Sequence, residues 1–318
     1  MKWQKSENNR QLVWIAVLCL ALVGVDCASA MTRGSYRLAS GDGVFGQAFY
    51  VESRHEDTLL DIGRRNGVGY DEMRSANPGV DVWIPGAGNN ILVPTQYVVP
   101  NAPRRGLVLN LAEKRLYYFP SSGSVTTHAI SIGREGWNTP LGHFSIVSKA
   151  RNPTWRPPAS IRAEHATQGD ILPAVVLPGP DNPLGKYAMR LSARGYLIHG
   201  TNKPWGLGMR ISHGCIRMYP EDIERLFPKI PVGASVKIVD QPFKVGWLGN
   251  NLYLEVHAEG KKRAKVRAVI PASITKAWGV RVDWEEVRQA IKENTGLPHL
   301  VGDRQKRPMR RLYLDKIF

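Results

Sequence analysis

Short strand patterns separated by turn residues dominate the middle of the chain and restrict the folds open to it. Between residues 107 and 239 apolar residues alternate over short runs, and the chain contains 22 prolines and 31 glycines. Short strands with few helical patterns between them are typical of a β-sandwich or a partly closed barrel. We therefore predict a mainly β domain with these strands: GLVLN and RLYYF joined by the turn LAEK, then SVTTHAISIG, GHFSIVSKA, YAMRLS, GYLIHG and SVKIVD.

The first 30 residues have the pattern of a secretory signal peptide. Basic residues precede an apolar run from Leu12 to Val25, and the ASA at residues 28–30 offers a cleavage site after Ala30. A membrane anchor is the alternative, but this run of 14 residues is shorter than the roughly 20 of a spanning helix. We expect an exported chain with no membrane span after cleavage.

Removal of the signal peptide reduces the number of cysteines that could form a disulfide. Of the three cysteines, Cys19 and Cys27 leave with the signal peptide and Cys215 remains. An oxidising compartment pairs thiols, so a lone cysteine there either pairs between molecules or is kept for its reactivity. An intramolecular disulfide is excluded.

The strongly positive charge narrows the class of partner. The chain carries a formal net charge of +16, which favours an anionic partner such as a cell-envelope polymer or a lipid surface. The basic residues do not alternate with aromatic residues along a stripe, and the export signal also argues against nucleic acid. We expect no nucleic-acid partner.

A small α+β unit is predicted over residues 48–95, after a lead-in of residues 31–47. Its pattern is strand, helix, helix, strand, and the first helix has Thr58 as N-cap and Gly67 after its end. The stretch EDTLLDIGRRNGVGYDEMRSANPGV followed by ILVP resembles the LysM family, which implies binding of glycans that contain N-acetylglucosamine. The alternative is a spacer domain that binds nothing. A linker is predicted at 96–103.

Two further segments complete the organisation. Residues 151–186 are rich in proline and lack periodicity, and a loop of this length is usually functional, so we predict a lid or substrate wall. Residues 241–318 form a C-terminal extension with a strand, NLYLEVH, and a helix capped by Asp283, and they carry no functional motif.

The stretch YLIHGTNKPWGLGMRISHGCIRM places two histidines near the lone cysteine. If SHGCIR is a strand, His213, Cys215 and Arg217 share one face, and His199 meets them from a neighbouring strand. A thiol attacks as thiolate, so one histidine must act as base. A zinc site of Cys215 with the two histidines, or a buried inert cysteine, are the alternatives.

Two neighbouring features suit acyl transfer. Gly214 permits close backbone approach, so the amides of Gly214 and Cys215 are candidates for an oxyanion hole. The guanidinium of Arg217 is suited to bidentate binding of a carboxylate, which fits an anionic peptide substrate.

The extended motif resembles the L,D-transpeptidase catalytic domain of the YkuD type, over residues 104–240. The matching stretches are NTPLGHFSI, NPTWRPP, PGPDNPLGKYAMRLS and GMRISHGCIRM, with His199 upstream. The resemblance implies a β-sandwich or barrel enzyme of the Gram-negative periplasm that needs no metal and no cofactor. It implies these roles: Cys215 as nucleophile, His199 as base held by a backbone carbonyl, His213 as an accessory that positions substrate or supports the oxyanion site, and Ser212, Gly200 and Arg217 in substrate binding. The alternative is that the two histidines exchange roles.

The same resemblance implies the reaction and its partners. The cysteine attacks the L,D bond of a peptidoglycan tetrapeptide stem, releases D-alanine and passes the acyl group to an amine. The amine belongs either to another stem, giving a 3→3 cross-link, or to a lysine of an outer-membrane lipoprotein. The alternatives are an L,D-carboxypeptidase, in which water takes the acyl group, and a non-catalytic peptidoglycan-binding protein.

Overall fold

The computed structural model describes residues 35–120, 123–258 and 265–305. The predicted signal peptide and its two cysteines lie outside these ranges. Within them, no helix combines the length and the apolar character needed to cross a membrane. Strands predominate over helices, so the prediction of a mainly β protein is confirmed.

The N-terminal part contains the strand, helix, helix, strand order expected from the sequence. The third strand pairs antiparallel with the fourth, and the second with the fifth. The first helix begins at a capping box in which Thr58 accepts from the Asp61 amide, an arrangement that contributes about 1 kcal/mol, and it ends at the left-handed Gly67. The elements are β1 Ser35–Arg37, β2 Val44–Gly46, β3 Phe49–Glu52, α1 Leu59–Asn66, α2 Tyr70–Ala76, β4 Asn90–Val93 and β5 Gln96–Val98.

A closed barrel follows, built from the segments predicted as strands. Its elements are β6 Gly106–Asn110, β7 Arg115–Phe119, β8 Ser124–Gly133, β9 Gly142–Arg151, α3 Ala159–Thr167, β10 Tyr187–Leu191, β11 Leu197–His199, β12 Arg210–Ser212, β13 Ile216–Met218, α4 Pro220–Leu226 and β14 Ser235–Val239. The strand order is β8-β13-β11-β10-β9-β14-β6-β7, and β7 pairs again with β8. Of the two predicted architectures, the barrel is therefore the one observed. Two 3₁₀ turns, Pro204–Gly206 and Phe227–Lys229, lie between these elements.

Strand β6 is apolar on both faces because both faces are covered by other parts of the protein. Leu107 and Leu109 pack inside the barrel, whereas Val108 packs outside it against Tyr97 and Phe45 of the N-terminal part. A strand covered on both faces reads as a continuous apolar run rather than as an alternation. The N-terminal strands thus cover an outer face of the barrel.

The segments predicted as lead-in and linker contain paired strands. Residues 31–47 include β1, which pairs with β8, and β2. Residues 96–103 begin with β5, in which Tyr97 is buried. The boundaries of the predicted domains stay a prediction, but both connecting segments belong to packed structure.

The predicted lid contains one helix that the sequence analysis does not predict. Helix α3 spans Ala159–Thr167 and has no buried residue. The lid is fastened at its base, where Asn182 is buried and donates to the carbonyls of Pro153, Val176 and Leu177.

The C-terminal extension forms a separate four-stranded sheet with a helix on one face. Its strand order is β15-β16-β18-β17. The helix is capped by Asp283, which accepts from the amides of Glu285 and Glu286. The elements are β15 Phe243–Leu248, β16 Asn251–Val256, a 3₁₀ turn Val266–Ala268, α5 Ala272–Thr275, β17 Val280–Val282, α6 Trp284–Glu293 and β18 His299–Arg304.

A buried ion pair joins the N-terminal helices to the barrel. Arg115 of β7 donates from Nε and Nη2 to the two carboxylate oxygens of Glu72 in α2, at 2.8 and 2.7 Å. Its guanidinium also lies 4.3 Å from the centre of the Tyr97 ring. Since Arg115 is 1% exposed and Glu72 is 7% exposed, loss of either partner leaves a charge stranded in the interior.

A second buried cluster joins the extension to the other two parts. Lys244 Nζ of β15 lies 2.7 Å from carboxylate oxygens of Glu113, in the β6–β7 turn, and of Glu255, in β16. It also donates to the carbonyl of Val98 in β5, while Tyr117 donates to Glu113. Lys244 therefore connects the N-terminal part, the barrel and the extension at one point.

Candidate active site

The barrel sheet brings His199 and the cysteine segment side by side. Strands β11 and β13 are parallel, with Ile198 opposite Ile216 and His199 opposite Arg217. Continued by one residue, this register places Cys215 beside Leu197, whose amide hydrogen-bonds the Cys215 sulfur. Because alternate strand residues share a face, Cys215, Arg217 and His199 lie on one side of the sheet.

The prediction that His213, Cys215 and Arg217 alternate along one strand is wrong in part. Strand β13 begins only at Ile216, and His213 and Gly214 form a bend. Gly214 has φ +99°, and a Cβ there would lie 2.9 Å from a ring carbon of Tyr196. The chain therefore turns at Gly214, and His213 does not continue the alternation of Cys215 and Arg217 along one face.

Ser212 braces this turn instead of facing an open site. Its hydroxyl accepts from the Gly214 amide at 3.1 Å and donates to the Cys215 carbonyl at 2.5 Å, and the residue is 1% exposed. Thr139 donates to the Gly214 carbonyl from the other side. The Gly214 amide, one of the two predicted oxyanion donors, thus already donates to Ser212. The other predicted donor, the Cys215 amide, takes no part in these hydrogen bonds of Ser212 and Thr139.

His199 is held in one tautomer by the residue that follows it. Its Nδ1 lies 2.6 Å from the Gly200 carbonyl oxygen, which only accepts, so Nδ1 carries the proton and Nε2 carries the lone pair. Burial, with the positive charge of Arg217, lowers the pKa of His199 to about 3. The imidazole is therefore neutral at any ordinary working pH and can accept a proton at Nε2. Gly200 acts through its carbonyl.

The thiol of Cys215 is also neutral at rest. Burial raises its pKa, against the lowering effects of the Leu197 amide and of the Arg217 and Arg190 charges. The sulfur lies 3.7 Å from the Gly195 carbonyl oxygen. With the pKa of the thiol raised and that of His199 lowered, the resting pair is a thiol and a neutral imidazole, which fits the prediction that a histidine takes the thiol proton as base.

Arg217 places an unpaired positive charge beside the thiol. Its side chain is largely withdrawn from solvent, its Nε has no hydrogen-bond partner among the described residues, and burial lowers its pKa. Buried polar groups are normally hydrogen-bonded, so this unsatisfied Nε is an exception among the described residues.

His213 has partners that the sequence analysis missed. Its Nε2 lies 3.0 Å from Glu164 Oε2 of the lid helix and 3.2 Å from Nη2 of Arg134, and the Trp137 ring meets it edge-on at 4.8 Å. Burial lowers the pKa of His213, and Glu164 opposes this. No sequence signal points to Glu164, because it lies in a segment without periodicity.

The residues that gather metal-ligand atoms lie elsewhere. Within the described residues, a group of three such atoms within 4.8 Å of one another is formed by Glu113, Glu255 and His257, and not by Cys215 with the two histidines. Both carboxylates of that group accept from Lys244, so an ammonium occupies the place between them.

Comparisons with known proteins identify the family of this chain. The L,D-transpeptidase catalytic domain (YkuD) matches residues 104–238. The chain is similar to the probable L,D-transpeptidase YcfS of Escherichia coli, 39% identical over 272 residues that cover 82% of this chain and 85% of the relative. The probable L,D-transpeptidase YbiS of the same organism is 39% identical over 91% of this chain and 98% of its own.

A solved structure is more distant. The catalytic domain of an E. faecium L,D-transpeptidase is 22% identical, with a TM-score of 0.34, and the match covers 43% of this chain and 98% of that one. The family model and the long alignments to the Escherichia coli relatives together establish that this chain is an enzyme that belongs to the L,D-transpeptidase family.

Proposed function

We propose that this enzyme transfers acyl groups of peptidoglycan stem peptides through a thioester on Cys215. One observation carries the proposal: Cys215 lies beside Leu197, and His199, two residues further along the same strand, is fixed with a lone pair on Nε2. Cys215 and His199 lie on the same face of a sheet, and this supports the proposal that the thiol passes its proton to the imidazole during attack.

Acylation starts from two uncharged groups. As Cys215 Sγ attacks the carbonyl of the L,D bond, its proton passes to His199 Nε2 and the carbonyl oxygen becomes an oxyanion. The Cys215 amide is the proposed donor to that oxyanion. When the C–N bond breaks, the proton on His199 passes to the departing D-alanine nitrogen, and the thioester remains.

Transfer reverses the same proton path. An acceptor amine attacks the thioester carbonyl and gives its proton to His199 Nε2. The C–S bond then breaks, and the sulfur recovers the proton from the imidazole. Gly200 supports both steps by holding the imidazole with its carbonyl, and we propose no direct substrate contact for Gly200 or for the buried Ser212.

Arg217 is the proposed anchor for a carboxylate of the donor stem. The support is its buried and unpaired Nε next to the cysteine, together with the positive charge of the chain. A carboxylate held there places the scissile bond at a fixed distance from Cys215, and orientation of this kind accounts for a large part of enzymatic rate enhancement.

We propose the Gram-negative periplasm as the setting, and a stem-peptide amine or an outer-membrane lipoprotein lysine as the acceptor. We also propose that residues 48–95 form a LysM-type module, 104–240 the catalytic domain and 241–318 an extension. The support for the module is its element order with β3 paired to β4. The support for the periplasm is the signal-peptide pattern.

Product analysis of purified tetrapeptide muropeptides tests the function. Incubation with the mature protein is expected to release D-alanine and form 3→3 cross-linked dimers, or an adduct when a lysine peptide from a lipoprotein is added. Cys215→Ala is expected to abolish both products while its thermal unfolding stays unchanged. His199→Ala is expected to lower the rate nearly as far.

The outcomes separate the alternatives. D-alanine release without any amine adduct identifies a carboxypeptidase. Pelleting with peptidoglycan that survives Cys215→Ala, with no turnover in the wild type, identifies a non-catalytic binding protein. Full activity of Cys215→Ala refutes the thioester mechanism.

A further inference from the structure

The lid helix α3 hydrogen-bonds the barrel through a single carboxylate, that of Glu164, and the ring of His165 lies 6.2 Å from that of His213. The helix has no fully buried residue, and only its face of Ile161, Glu164 and His165 is partly buried, so packing holds it weakly. Among the described residues, Glu164 is its one side chain with a hydrogen bond beyond the lid, and its partners are Arg134 and His213. Any mobility of the helix therefore acts on His213 directly.

The chemistry of the three groups fixes where the His213 proton lies. A carboxylate only accepts hydrogen bonds and a guanidinium only donates them. Burial lowers the pKa of His213, which favours the neutral ring, and the shorter contact of Nε2, at 3.0 Å, is with Glu164. Arg134 Nη2 donates to the other oxygen of Glu164, so we assign the Nε2 proton to Glu164 and no hydrogen bond to the 3.2 Å contact with Arg134. Nδ1 then carries the lone pair.

Removal of Glu164 inverts this arrangement. The nearest remaining partner of Nε2 is Nη2 of Arg134, at 3.2 Å, and a guanidinium can hydrogen-bond only to an unprotonated nitrogen. The proton of His213 would then move to Nδ1. One carboxylate on the lid thus selects between two forms of a histidine in the candidate active site.

We propose that Glu164 is a positioning residue that holds His213 with its proton on Nε2, and that it does so only while the lid lies against the barrel. The relevance of this state to catalysis rests on the proposed function, whereas the proton position does not. Cys215 and His199 are held by the barrel sheet, so only the state of His213 depends on the closed lid, and this couples substrate enclosure to His213.

The proton position is measured by ¹⁵N NMR of the full mature chain labelled at histidine, with the His213 signals assigned from a His213→Gln variant. The wild type is expected to show the Nε2–H form and Glu164→Ala the Nδ1–H form. Glu164→Gln keeps an acceptor oxygen and is expected to resemble the wild type. Glu135→Gln, which neutralises an exposed carboxylate next to Arg134 in the chain, is the matched control.

Two further readouts test the connection to the lid. Tryptic cleavage after Arg162, within α3, is expected to accelerate in Glu164→Ala and not in Glu135→Gln. The single-turnover acylation rate of Glu164→Ala is expected to fall roughly 10- to 100-fold, the usual range for loss of a hydrogen bond to a charged group, with recovery in Glu164→Gln.

An Nε2–H form that persists in Glu164→Ala overturns the proposal, as does unchanged cleavage after Arg162. Because the NMR measurement needs no turnover, a wild type without transfer activity would refute the proposed function and leave this inference standing.

Discussion

Replacement of Lys244 by Met tests whether the three parts of the chain depend on one ammonium. Lys244, Glu113 and Glu255 are all buried, with Glu255 and the side chains of the other two 0% exposed. The substitution removes the cation and leaves two carboxylates without it. Loss of one partner of a buried ion pair typically costs about 3–5 kcal/mol, so we expect a loss of at least about 3 kcal/mol at pH 7.

The loss should also depend on pH, with a defined sign. Burial alone raises the pKa of Glu255, but in the native protein Lys244 and His257 hold it below its usual value. Without Lys244 the folded-state pKa of Glu255 rises above that of the unfolded chain, and the pKa of Glu113, which burial already raises in the native protein, rises further. A raised folded-state pKa stabilises the protein only below the unfolded pKa of about 4.3, and the contribution disappears as the pH rises. The deficit of the variant is therefore expected to be larger at pH 7 than at pH 5.

Urea unfolding followed by tryptophan fluorescence, at pH 5 and pH 7, measures both effects. Arg281→Met is the matched control, because it breaks the exposed Arg281–Asp303 pair in the same C-terminal sheet and should cost no more than about 1 kcal/mol. Glu113→Gln combined with Lys244→Met removes one stranded charge and is expected to regain part of the stability. A Lys244→Met variant that loses no more than the control, with no pH dependence, refutes the reasoning.

Two further predictions concern the cysteine segment. Because burial raises the pKa of Cys215, the rate of its alkylation by iodoacetamide is expected to keep rising with pH through about 9, and a plateau below pH 7 would instead indicate a thiolate–imidazolium pair. Gly214→Ala is expected to cost at least about 1 kcal/mol and to lower transfer activity, because it combines a positive φ with a Cβ 2.9 Å from the Tyr196 ring. Gly233→Ala also has a positive φ but open space around the Cβ, so a thermal unfolding loss equal in both variants would contradict the steric argument.

Much of the architecture could be predicted because local sequence signals, such as turns and helix caps, determine where its strands and helices begin and end. The turn LAEK separates β6 from β7 as expected. The Thr58 side chain caps the start of α1, and Gly67 ends it because a residue without a Cβ adopts the left-handed conformation readily. The closure of the barrel through β7 and β8 depends on contacts between distant segments, which alternation along one strand does not encode.

The candidate site likewise has features that local motifs predict and features that depend on distant contacts. Cys215 and His199 are marked by local motifs, but their charge states depend on burial, which a sequence pattern does not reveal. The expected strand alternation through His213 fails because Gly214 turns the chain there. Glu164 escaped prediction because its role arises from a contact across 49 residues of chain.

The pairing of Arg115 with Glu72 has a consequence for how the N-terminal part works with the barrel. A domain on a flexible tether raises the local concentration of whatever it holds, and the length of the tether sets that concentration. Here the connection is a pair of buried charges, reinforced by Lys244, so the reach of the N-terminal part does not vary with the length of a linker. A polymer bound by residues 48–95 would therefore approach Cys215 from one constant direction.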